Sequence, residues 1–345
     1  MSRAPATAMG LGGRAETMSG KGRIAIVGAG LMGTAIATLC AAQGYTVALH
    51  DQNKNGLDSY RERAKPIAGF LAATPEQRDE MLDRVELHPS LDASLRGASL
   101  VHEIIHEDLD AKRALFRTLD ALCPEDVMLA TNTSSYLLSE IGADLAGRRR
   151  IVGIHYVAPP HLIRAVEIIS ADFTDPAIVI RARQFLDSID RVGIVCRECP
   201  GFLINRIQYA LKAEVQKIVE ENVASVEDID AVVRLSIGPR LALWGPMMQE
   251  DLSTSKKTVL AVTEYLHSAT GNPHFASTSV LRRLAETGQT GAAAGAGWYR
   301  WETSNDHLVR ERDRQLGELL DWLKAHDRVA ALGAKGPNEQ VQARK

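Results

Sequence analysis

The stretch of sequence that decides the fold is Arg23-Ile-Ala-Ile-Val27-Gly28-Ala-Gly30-Leu-Met-Gly33. Its first residues are apolar and mostly branched, which indicates a buried strand. The glycines that follow indicate a tight turn into a helix, which we predict over residues 31–43. A second strand is predicted over residues 45–50, directly before Asp51. Together these segments form a β-α-β unit.

Each glycine of the turn has a physical role in binding a dinucleotide. Gly28 permits the tight turn, Gly30 lets the backbone approach a pyrophosphate, and Gly33 lets the helix pack closely on the strand. The first helical turn, which contains Leu31 and Met32, then presents its N–H groups to the phosphates. Because a strand precedes the glycines and a helix follows them, the pattern is specific for a dinucleotide site.

The residue after the second strand distinguishes between the nicotinamide cofactors. Asp51 places a carboxylate where it accepts hydrogen bonds from the adenosine ribose and repels the 2′-phosphate of NADP. Gln52 and Asn53 supply no cation for that phosphate, although Lys54 is close in sequence. We therefore predict NAD as the cofactor, with NADP and FAD as alternatives.

The sequence divides into two regions with different patterns. In the first, β-branched runs alternate with helical stretches, which indicates a doubly wound, mostly parallel sheet. One of these helical stretches is predicted over residues 55–85, with a break near Thr74-Pro75. The predicted segments are flexible tails at residues 1–21 and 328–345, an α/β Rossmann domain at residues 22–199 and an all-α domain at residues 200–327. Helices of the second domain are predicted over residues 202–221, 226–237, 253–268 and 306–324.

Composition limits the classes of function. Of the 345 residues, 45% are hydrophobic and 24% are charged, which is typical of a soluble globular protein. No stretch approaches the roughly 20 apolar residues of a membrane helix. The net charge of -3 comes from interspersed charges of both signs, so we expect no nucleic-acid partner. Few cysteines and no export signal make the cytoplasm the expected location.

His155 and Glu167 are the residues best suited to acid–base chemistry. Oxidation of an alcohol by NAD needs a base that takes the hydroxyl proton while the hydride leaves. His155 ends an apolar strand, and histidine titrates near neutral pH. Glu167 lies within another apolar strand, where a carboxylate needs a partner. Pairing would stabilise the imidazolium; the alternative is a core histidine and an unrelated structural acid.

Several ordered blocks of sequence, from about residue 22 to residue 301, resemble the L-3-hydroxyacyl-CoA dehydrogenase superfamily. The blocks are Gly28-Ala-Gly30-Leu-Met-Gly33; Glu103-Ile-Ile-His-Glu107 with Lys112; Thr131-Asn-Thr-Ser-Ser135; Gly153-Ile-His155 through Val166-Glu167; Pro200-Gly-Phe-Leu-Ile-Asn205-Arg206; Gly245-Pro246; and Gly295-Ala-Gly-Trp-Tyr299. The resemblance implies an NAD-dependent enzyme that acts on CH–OH groups. It also implies a homodimer formed through the helical domain, which suits the apolar helices predicted after Phe202.

The resemblance assigns roles to single residues. His155 and Glu167 match the catalytic dyad of the family, and Ser134 matches a serine that hydrogen-bonds the substrate oxygen. Asn205 matches an asparagine on the substrate side. The residues that match the nicotinamide-ribose region are Glu107, Lys112 and Asn132. The alternatives are a turn role for Ser134, a packing or capping role for Asn205 and surface positions for the others. Hydride transfer to NAD needs no metal, and we predict none.

The catalytic strand departs from the acyl-CoA pattern His-Phe-Phe-Asn-Pro. This chain reads His155-Tyr-Val-Ala158-Pro-Pro160, so that alanine replaces the asparagine. The helical segment after the second strand has nearly balanced charge, where CoA phosphates call for a basic patch. The stretch Pro159-Pro-His-Leu-Ile-Arg164 resembles the branch that acts on a pyridine carboxylate. Related branches act on gulonate and carnitine.

These departures favour a small, anionic hydroxy acid as the substrate. Arg164 or Arg206 could bind its carboxylate bidentately. Two alternatives stay open. One is a 3-hydroxyacyl thioester, on CoA or on a carrier protein, and the other is a non-catalytic NAD-binding protein on the same fold.

Overall fold

The computed structural model describes residues 21–326. Apart from Lys21, the predicted tails lie outside these residues. The chain forms two compact units, which divide after Ala210. No helix within the described residues combines the length and apolar character that a membrane crossing requires.

The first unit is built on one eight-stranded sheet. Its strands are β1 Arg23–Val27, β2 Thr46–His50, β3 Val85–His88, β4 Leu100–Glu103, β5 Met128–Thr131, β6 Ile151–Tyr156, β7 Ala165–Ser170 and β8 Val192–Arg197. Their order across the sheet is β3-β2-β1-β4-β5-β6-β7-β8. Neighbouring strands are parallel except β6 and β7, which are antiparallel. The predicted mostly parallel sheet is confirmed.

Helices cover both faces of this sheet. They are α1 Leu31–Ala42, α2 Lys54–Asp58, α3 Tyr60–Leu71, α4 Pro75–Asp83, α5 Leu91–Leu95, α6 Leu109–Leu122, α7 Leu138–Ile141 and α8 Pro176–Ser188. Alternate residues of β1 enter different cores, since side chains of a strand point to opposite faces. Ile26 lies in the same core as Ile36 of α1 and Phe185 of α8, whereas Val27 lies in the core that contains Phe116 of α6. The Rossmann architecture is therefore confirmed.

The helical stretch predicted over residues 55–85, with one break, is wrong in part. The structure divides it into α2, α3 and α4, and its last residue belongs to β3. The break near Thr74-Pro75 is confirmed, and its cause is a capping box. The Gln77 N–H donates to the Thr74 hydroxyl at 3.3 Å, and the Thr74 N–H donates to Oε1 of Gln77 at 3.2 Å. These bonds satisfy donors that a helix start leaves without partners.

The described residues after β8 are mainly helical, as predicted. The helices are α9 Ile204–Glu220, α10 Val226–Val232, α11 Gly238–Ser253, α12 Lys256–Thr270, α13 Ser279–Glu286 and α14 Asn305–Ala325. Two of them, α11 and α13, are absent from the prediction. Gly245 and Pro246 lie inside α11, and glycine and proline disfavour the interior of a helix. The backbone accommodates them by a kink at Gly245, where φ is +70°.

A buried ion pair organises the block Gly295-Ala-Gly-Trp-Tyr299 in the second unit. The Asp251 carboxylate accepts hydrogen bonds from the Lys256 ammonium at 2.5 Å and from the Trp298 N–H at 3.1 Å. A Cβ at Gly297 would lie 2.2 Å from Oδ1 of Asp251. The glycine is therefore needed for the carboxylate to reach the backbone of this block.

Candidate active site

The glycine turn between β1 and α1 has the geometry of a pyrophosphate site. Gly28 has a φ of +115°, and a Cβ there would lie 2.3 Å from the carbonyl oxygen of Ile104. A Cβ at Gly33 would lie 1.8 Å from the carbonyl oxygen of Gly28, whereas the space beside Gly30 is open. Gly30 is also the N-cap residue of α1, which begins at Leu31. Having no side chain, it leaves the first N–H groups of the helix accessible to an anion.

Asp51 stands beside this turn at the carboxyl end of β2. Its Oδ2 accepts a hydrogen bond from the Ala29 N–H at 2.7 Å, and its Oδ1 accepts one from the Asn53 N–H at 2.7 Å. A carboxylate has further lone pairs for the hydroxyls of a ribose. The strand order reverses at β1 and β4, and open α/β sheets bind ligands at such an edge. The residues present therefore fit NAD.

His155 and Glu167 face each other across the antiparallel strands β6 and β7. Nδ1 of His155 lies 2.6 Å from Oε2 of Glu167. The other carboxylate oxygen accepts hydrogen bonds from the N–H groups of Leu203 and Ile204, both at 2.8 Å. Both oxygens of the buried carboxylate thus have donors, as a buried charge requires.

These hydrogen-bond donors keep the Glu167 carboxyl group ionised. Burial by itself raises the pKa of the Glu167 carboxyl, but the hydrogen bonds from His155, Ile204 and Leu203 outweigh it, so its pKa is lowered. An ionised Glu167 accepts a hydrogen bond from Nδ1–H of His155, so the neutral ring carries its proton on Nδ1 and Nε2 has a free lone pair. Nε2 can then take a proton, and Glu167 balances the positive charge that results.

Ser134 lies next to His155 on a loop that Glu107 holds. The Ser134 hydroxyl oxygen is 3.1 Å from Nε2 of His155. Oε1 of Glu107 accepts hydrogen bonds from the Ser134 N–H at 3.0 Å and from the Ser135 hydroxyl at 2.6 Å. The amide nitrogen of Asn205 donates to the carbonyl oxygen of Ser134 at 2.9 Å. The loop is therefore held from two sides, which fixes the Ser134 hydroxyl relative to His155.

Lys112 is buried between the carboxylates of Glu103 and Glu107. Its side chain is 1% exposed, and its ammonium lies 2.7 Å from Oε1 of Glu103 and 3.3 Å from Oε2 of Glu107. Glu103 is fully buried and also accepts a hydrogen bond from the Thr131 hydroxyl at 2.6 Å. Glu107, by contrast, is 37% exposed. Lys112 thus supports the Ser134 loop through Glu107, and only Glu107 of this pair is open to a ligand.

A cavity of about 270 Å³ brings together Ser134, His155 and Asn205 of the predicted catalytic residues and Asn132 of the predicted nicotinamide side. It is lined by Met32, Asn132, Ser134, His155, Tyr156, Val157, Ala158, Ile204 and Asn205. Oδ1 of Asn132 accepts a hydrogen bond from the Tyr156 N–H at 2.9 Å, which leaves the Asn132 amide hydrogens for a ligand. Because Ala158 lies in the wall, the change from asparagine to alanine affects the cavity itself.

The two arginines considered as carboxylate partners have other contacts. Nη2 of Arg164 lies 2.7 Å from Oδ1 of Asp190, and both side chains are more than half exposed. Nη1 of Arg206 lies 3.7 Å from the sulfur of Cys199. Among the described residues that line the cavity, none is lysine or arginine. The structure therefore gives Arg164 a surface ion pair in place of the expected contact with substrate.

The backbone donors to Glu167 escaped the sequence prediction. Leu203 and Ile204 lie at the start of α9, directly after Gly201 and Phe202, whose φ angles are +76° and +50°. First-turn N–H groups have no acceptor within their own helix. The helix start predicted after Pro200-Gly201 was therefore the signal that could have identified them.

Comparisons with known proteins cover both regions of the chain. Residues 23–199 match the family model described as 3-hydroxyacyl-CoA dehydrogenase, NAD binding domain. Residues 201–301 match the model described as 3-hydroxyacyl-CoA dehydrogenase, C-terminal domain. Together the two matches include the glycine turn, the cavity and the Asp251 ion pair.

Individual relatives carry two kinds of substrate name. A probable 3-hydroxybutyryl-CoA dehydrogenase from Bacillus subtilis is 29% identical over 284 residues, which are 81% of this chain and 97% of the relative. A 5-formyl-3-hydroxy-2-methylpyridine 4-carboxylate 5-dehydrogenase from Mesorhizobium japonicum is 28% identical over 296 residues, which are 85% and 95% of the two chains. Among solved structures, a 3-hydroxyacyl-CoA dehydrogenase from Archaeoglobus fulgidus has a TM-score of 0.76 and 28% identity, covering 88% of this chain and 99% of that one.

Proposed function

The chain belongs to the 3-hydroxyacyl-CoA dehydrogenase family, and within this family we propose that it oxidises or reduces a small hydroxy acid or a related polar alcohol. It is an NAD-dependent oxidoreductase that acts on CH–OH groups. The observation that carries the proposal is the row of hydrogen bonds from Glu167 through His155 to Ser134, which ends at the cavity.

Residues of the glycine turn and of the cavity would hold the two ends of the cofactor. The glycine turn and the amino end of α1 would bind the pyrophosphate, and Asp51 would bind the adenosine ribose. Glu107 and Asn132 would contact the nicotinamide side, with Lys112 supporting Glu107 from behind. When bound, NAD supplies the hydride acceptor for alcohol oxidation.

The proton follows a path through His155. During oxidation, Nε2 of His155 takes the proton of the substrate hydroxyl, and during reduction it returns the proton to the carbonyl oxygen. Ser134 hydrogen-bonds the same oxygen and keeps it close to Nε2. Glu167 stabilises the imidazolium and holds the ring through Nδ1. Asn205 orients Ser134 through its carbonyl oxygen.

Three features favour a small polar substrate. The cavity of about 270 Å³ is slightly smaller than the roughly 300–1,000 Å³ of sites for drug-sized ligands. Val157 and Ala158 are apolar residues of the cavity lining, and the amides of Asn132 and Asn205 provide hydrogen bonds for polar substituents. A relative named for a pyridine carboxylate supports the same class. An anionic group on the substrate would be bound by these amides in place of Arg164.

A hydroxyacyl thioester is the second candidate. The relative from Bacillus subtilis and the structure from Archaeoglobus fulgidus, both named for acyl-CoA substrates, align over almost their whole lengths. In a CoA enzyme, remote contacts with the nucleotide handle lower the barrier, so truncating the handle reduces kcat as well as raising KM.

An NADH-linked screen of free hydroxy and oxo acids against acyl-CoAs tests the ranking. We expect turnover with a free acid, little NADH oxidation with acetoacetyl-CoA, and no inhibition by free CoA. His155→Ala serves as the blank for contaminating activity. A kcat/KM for acetoacetyl-CoA at or above about 10⁵ M⁻¹s⁻¹, well within the ordinary enzyme range, would reverse the ranking.

We further propose that the protein works as a homodimer in the cytoplasm. Its four cysteines are all free thiols, which suits a reducing compartment. The helices α9, α10 and α14 contain no buried residue, which suits association through the helical region.

A further inference from the structure

Arg63, on α3, reaches the glycine turn although the two are distant in sequence. Its Nη2 donates hydrogen bonds to the carbonyl oxygens of Ala29 at 2.5 Å and Gly56 at 2.7 Å. Its Nε donates to the Thr34 hydroxyl at 3.3 Å, and its Nη1 donates to the Ser59 hydroxyl. One guanidinium therefore joins the glycine turn, the first turn of α1 and the segment that follows β2.

Ala29 is consequently held at both of its peptide groups. Its N–H donates to Oδ2 of Asp51 at 2.7 Å, and its carbonyl oxygen accepts from Arg63 and, at 3.3 Å, from Thr34. These bonds orient the two peptide planes directly before the first turn of α1. The orientation of Gly30 and of the following N–H groups depends on those planes, and these are the groups that bind a pyrophosphate.

The partners of Arg63 indicate what it contributes. The four acceptors are neutral oxygens, namely the backbone carbonyls of Ala29 and Gly56 and the side-chain hydroxyls of Thr34 and Ser59. Hydrogen bonds from a charged donor are stronger than those between neutral groups, and an acceptor that loses its donor costs free energy. We propose that Arg63 is a positioning residue for the dinucleotide, which holds the glycine turn in its pyrophosphate-binding shape without contacting the ribose.

Arg63 also lies near Asp51, and an arginine in that region of a dinucleotide site can instead bind the 2′-phosphate of NADP. The two roles differ in which ligands they affect. A positioning role changes the affinity for every ligand that carries the pyrophosphate, whereas phosphate binding changes the affinity for NADP alone. Because Arg63 already has four protein acceptors, the geometry favours the positioning role.

Calorimetric titration of the full chain with ADP-ribose, NAD and NADP distinguishes them. In Arg63→Met, the Kd for ADP-ribose and the Kd for NAD should rise by the same factor, about tenfold, as expected for the loss of one or two such hydrogen bonds. The kcat at saturating NAD should change far less than the KM for NAD. Arg63→Lys should give an intermediate Kd, because an ammonium lacks the fork that reaches Ala29 and Gly56 together.

Arg61→Met is the matched control. Arg61 lies on the same helix, is 56% exposed and pairs with Asp83, so its loss should leave ADP-ribose binding at the wild-type level. An unchanged Kd for ADP-ribose in folded Arg63→Met would overturn the proposal, and so would a loss confined to NADP. Melting temperatures show whether each variant is folded. Should Arg63→Met be unfolded, a wild-type Kd in Arg63→Lys overturns the proposal instead. ADP-ribose reports on cofactor binding alone, so the outcome is independent of the proposed substrate.

Discussion

At the scale of single residues, the proposed chemistry depends on which nitrogen of His155 is free. With Glu167 ionised, Nδ1–H of His155 donates a hydrogen bond to its carboxylate at 2.6 Å, and the Ser134 hydroxyl oxygen lies 3.1 Å from Nε2. His155→Ala removes the base and should lower kcat by roughly 100-fold or more. The Kd for NADH should hardly change, because the side chain contacts neither the glycine turn nor Asp51. Steady-state kinetics with the true substrate and a separate NADH titration check both statements; a wild-type kcat would refute the assignment.

Glu167→Gln separates charge from shape at the same position. The amide keeps the size of the side chain but cannot balance the imidazolium. We expect a smaller loss of kcat than in His155→Ala and an acid limb of the pH–rate profile that moves to lower pH. A profile that superimposes on that of the wild type would show that the Glu167 charge does not act on His155.

Asp51 should determine the choice of cofactor. Its carboxylate lies where the 2′-phosphate of NADP would approach, and like charges repel. We predict a kcat/KM for NAD at least about tenfold above that for NADP, equivalent to roughly 1.4 kcal/mol. Asp51→Ser should reduce this ratio. Equal kcat/KM values for the two cofactors in the wild type would contradict the prediction.

Roles that depend on neighbouring residues in the sequence could be predicted. The hydrogen-bond partners of long side chains could not. The glycine turn was predictable, because the need for Gly28 and Gly33 arises from backbone contacts inside one β-α-β unit. The partners of Arg63 and Arg164 were not predictable, because the sequence offers each of these long side chains several possible acceptors. Only the packing of α3 and the turn before β7 determines that they meet Ala29 and Asp190.

At the scale of secondary structure elements, the errors have a common physical cause. Short elements receive much of their stability from tertiary contacts, so their own sequence specifies them weakly. β3 has a polar pattern but gains a parallel partner in β2, and helix forms on both sides of the non-helical backbone at Gly245. The antiparallel direction of β7 was likewise not readable from sequence, yet it creates the register that places His155 opposite Glu167.

His102, on the buried strand β4, should make the fold sensitive to acid. His102 is 1% exposed, and burial lowers its pKa from 6.5 to about 4, against the hydrogen bond to the Ile154 carbonyl, which raises it. Between these pH values the unfolded chain binds a proton on this residue and the folded chain does not. The free energy of unfolding should therefore decrease as pH falls from about 6.5 towards 4, by up to about 3 kcal/mol.

His102→Gln removes the titrating group but retains a donor for the Ile154 carbonyl. Urea unfolding at a series of pH values should then show a shallower loss of stability across this window than in the wild type. His106→Gln, at an exposed position in the next loop, is the control and should keep the wild-type slope. Identical slopes in all three proteins would show that His102 does not contribute.

At the scale of the whole molecule, apolar surface is distributed unevenly. The strands and helices of the first unit bury two continuous cores. In the helical region, by contrast, α9, α10 and α14 have no buried residue. Large apolar side chains remain exposed there, among them Val232 at 57%, Leu235 at 59% and Trp322 at 56%. Apolar area of this kind is the usual driving force for association between subunits.

We therefore predict a homodimer that buries the surface near α10. Light scattering at micromolar concentration should give the mass of two chains, because burying such side chains against a second copy releases the water that now covers them. Leu235→Asp places a charge in this surface and should shift the mass towards one chain. Leu122→Asp alters a leucine that is 48% exposed on α6 of the first unit and should leave the dimer intact. A monomeric mass for the wild type would refute the homodimer, and a Leu235→Asp variant that stays dimeric would place the interface elsewhere.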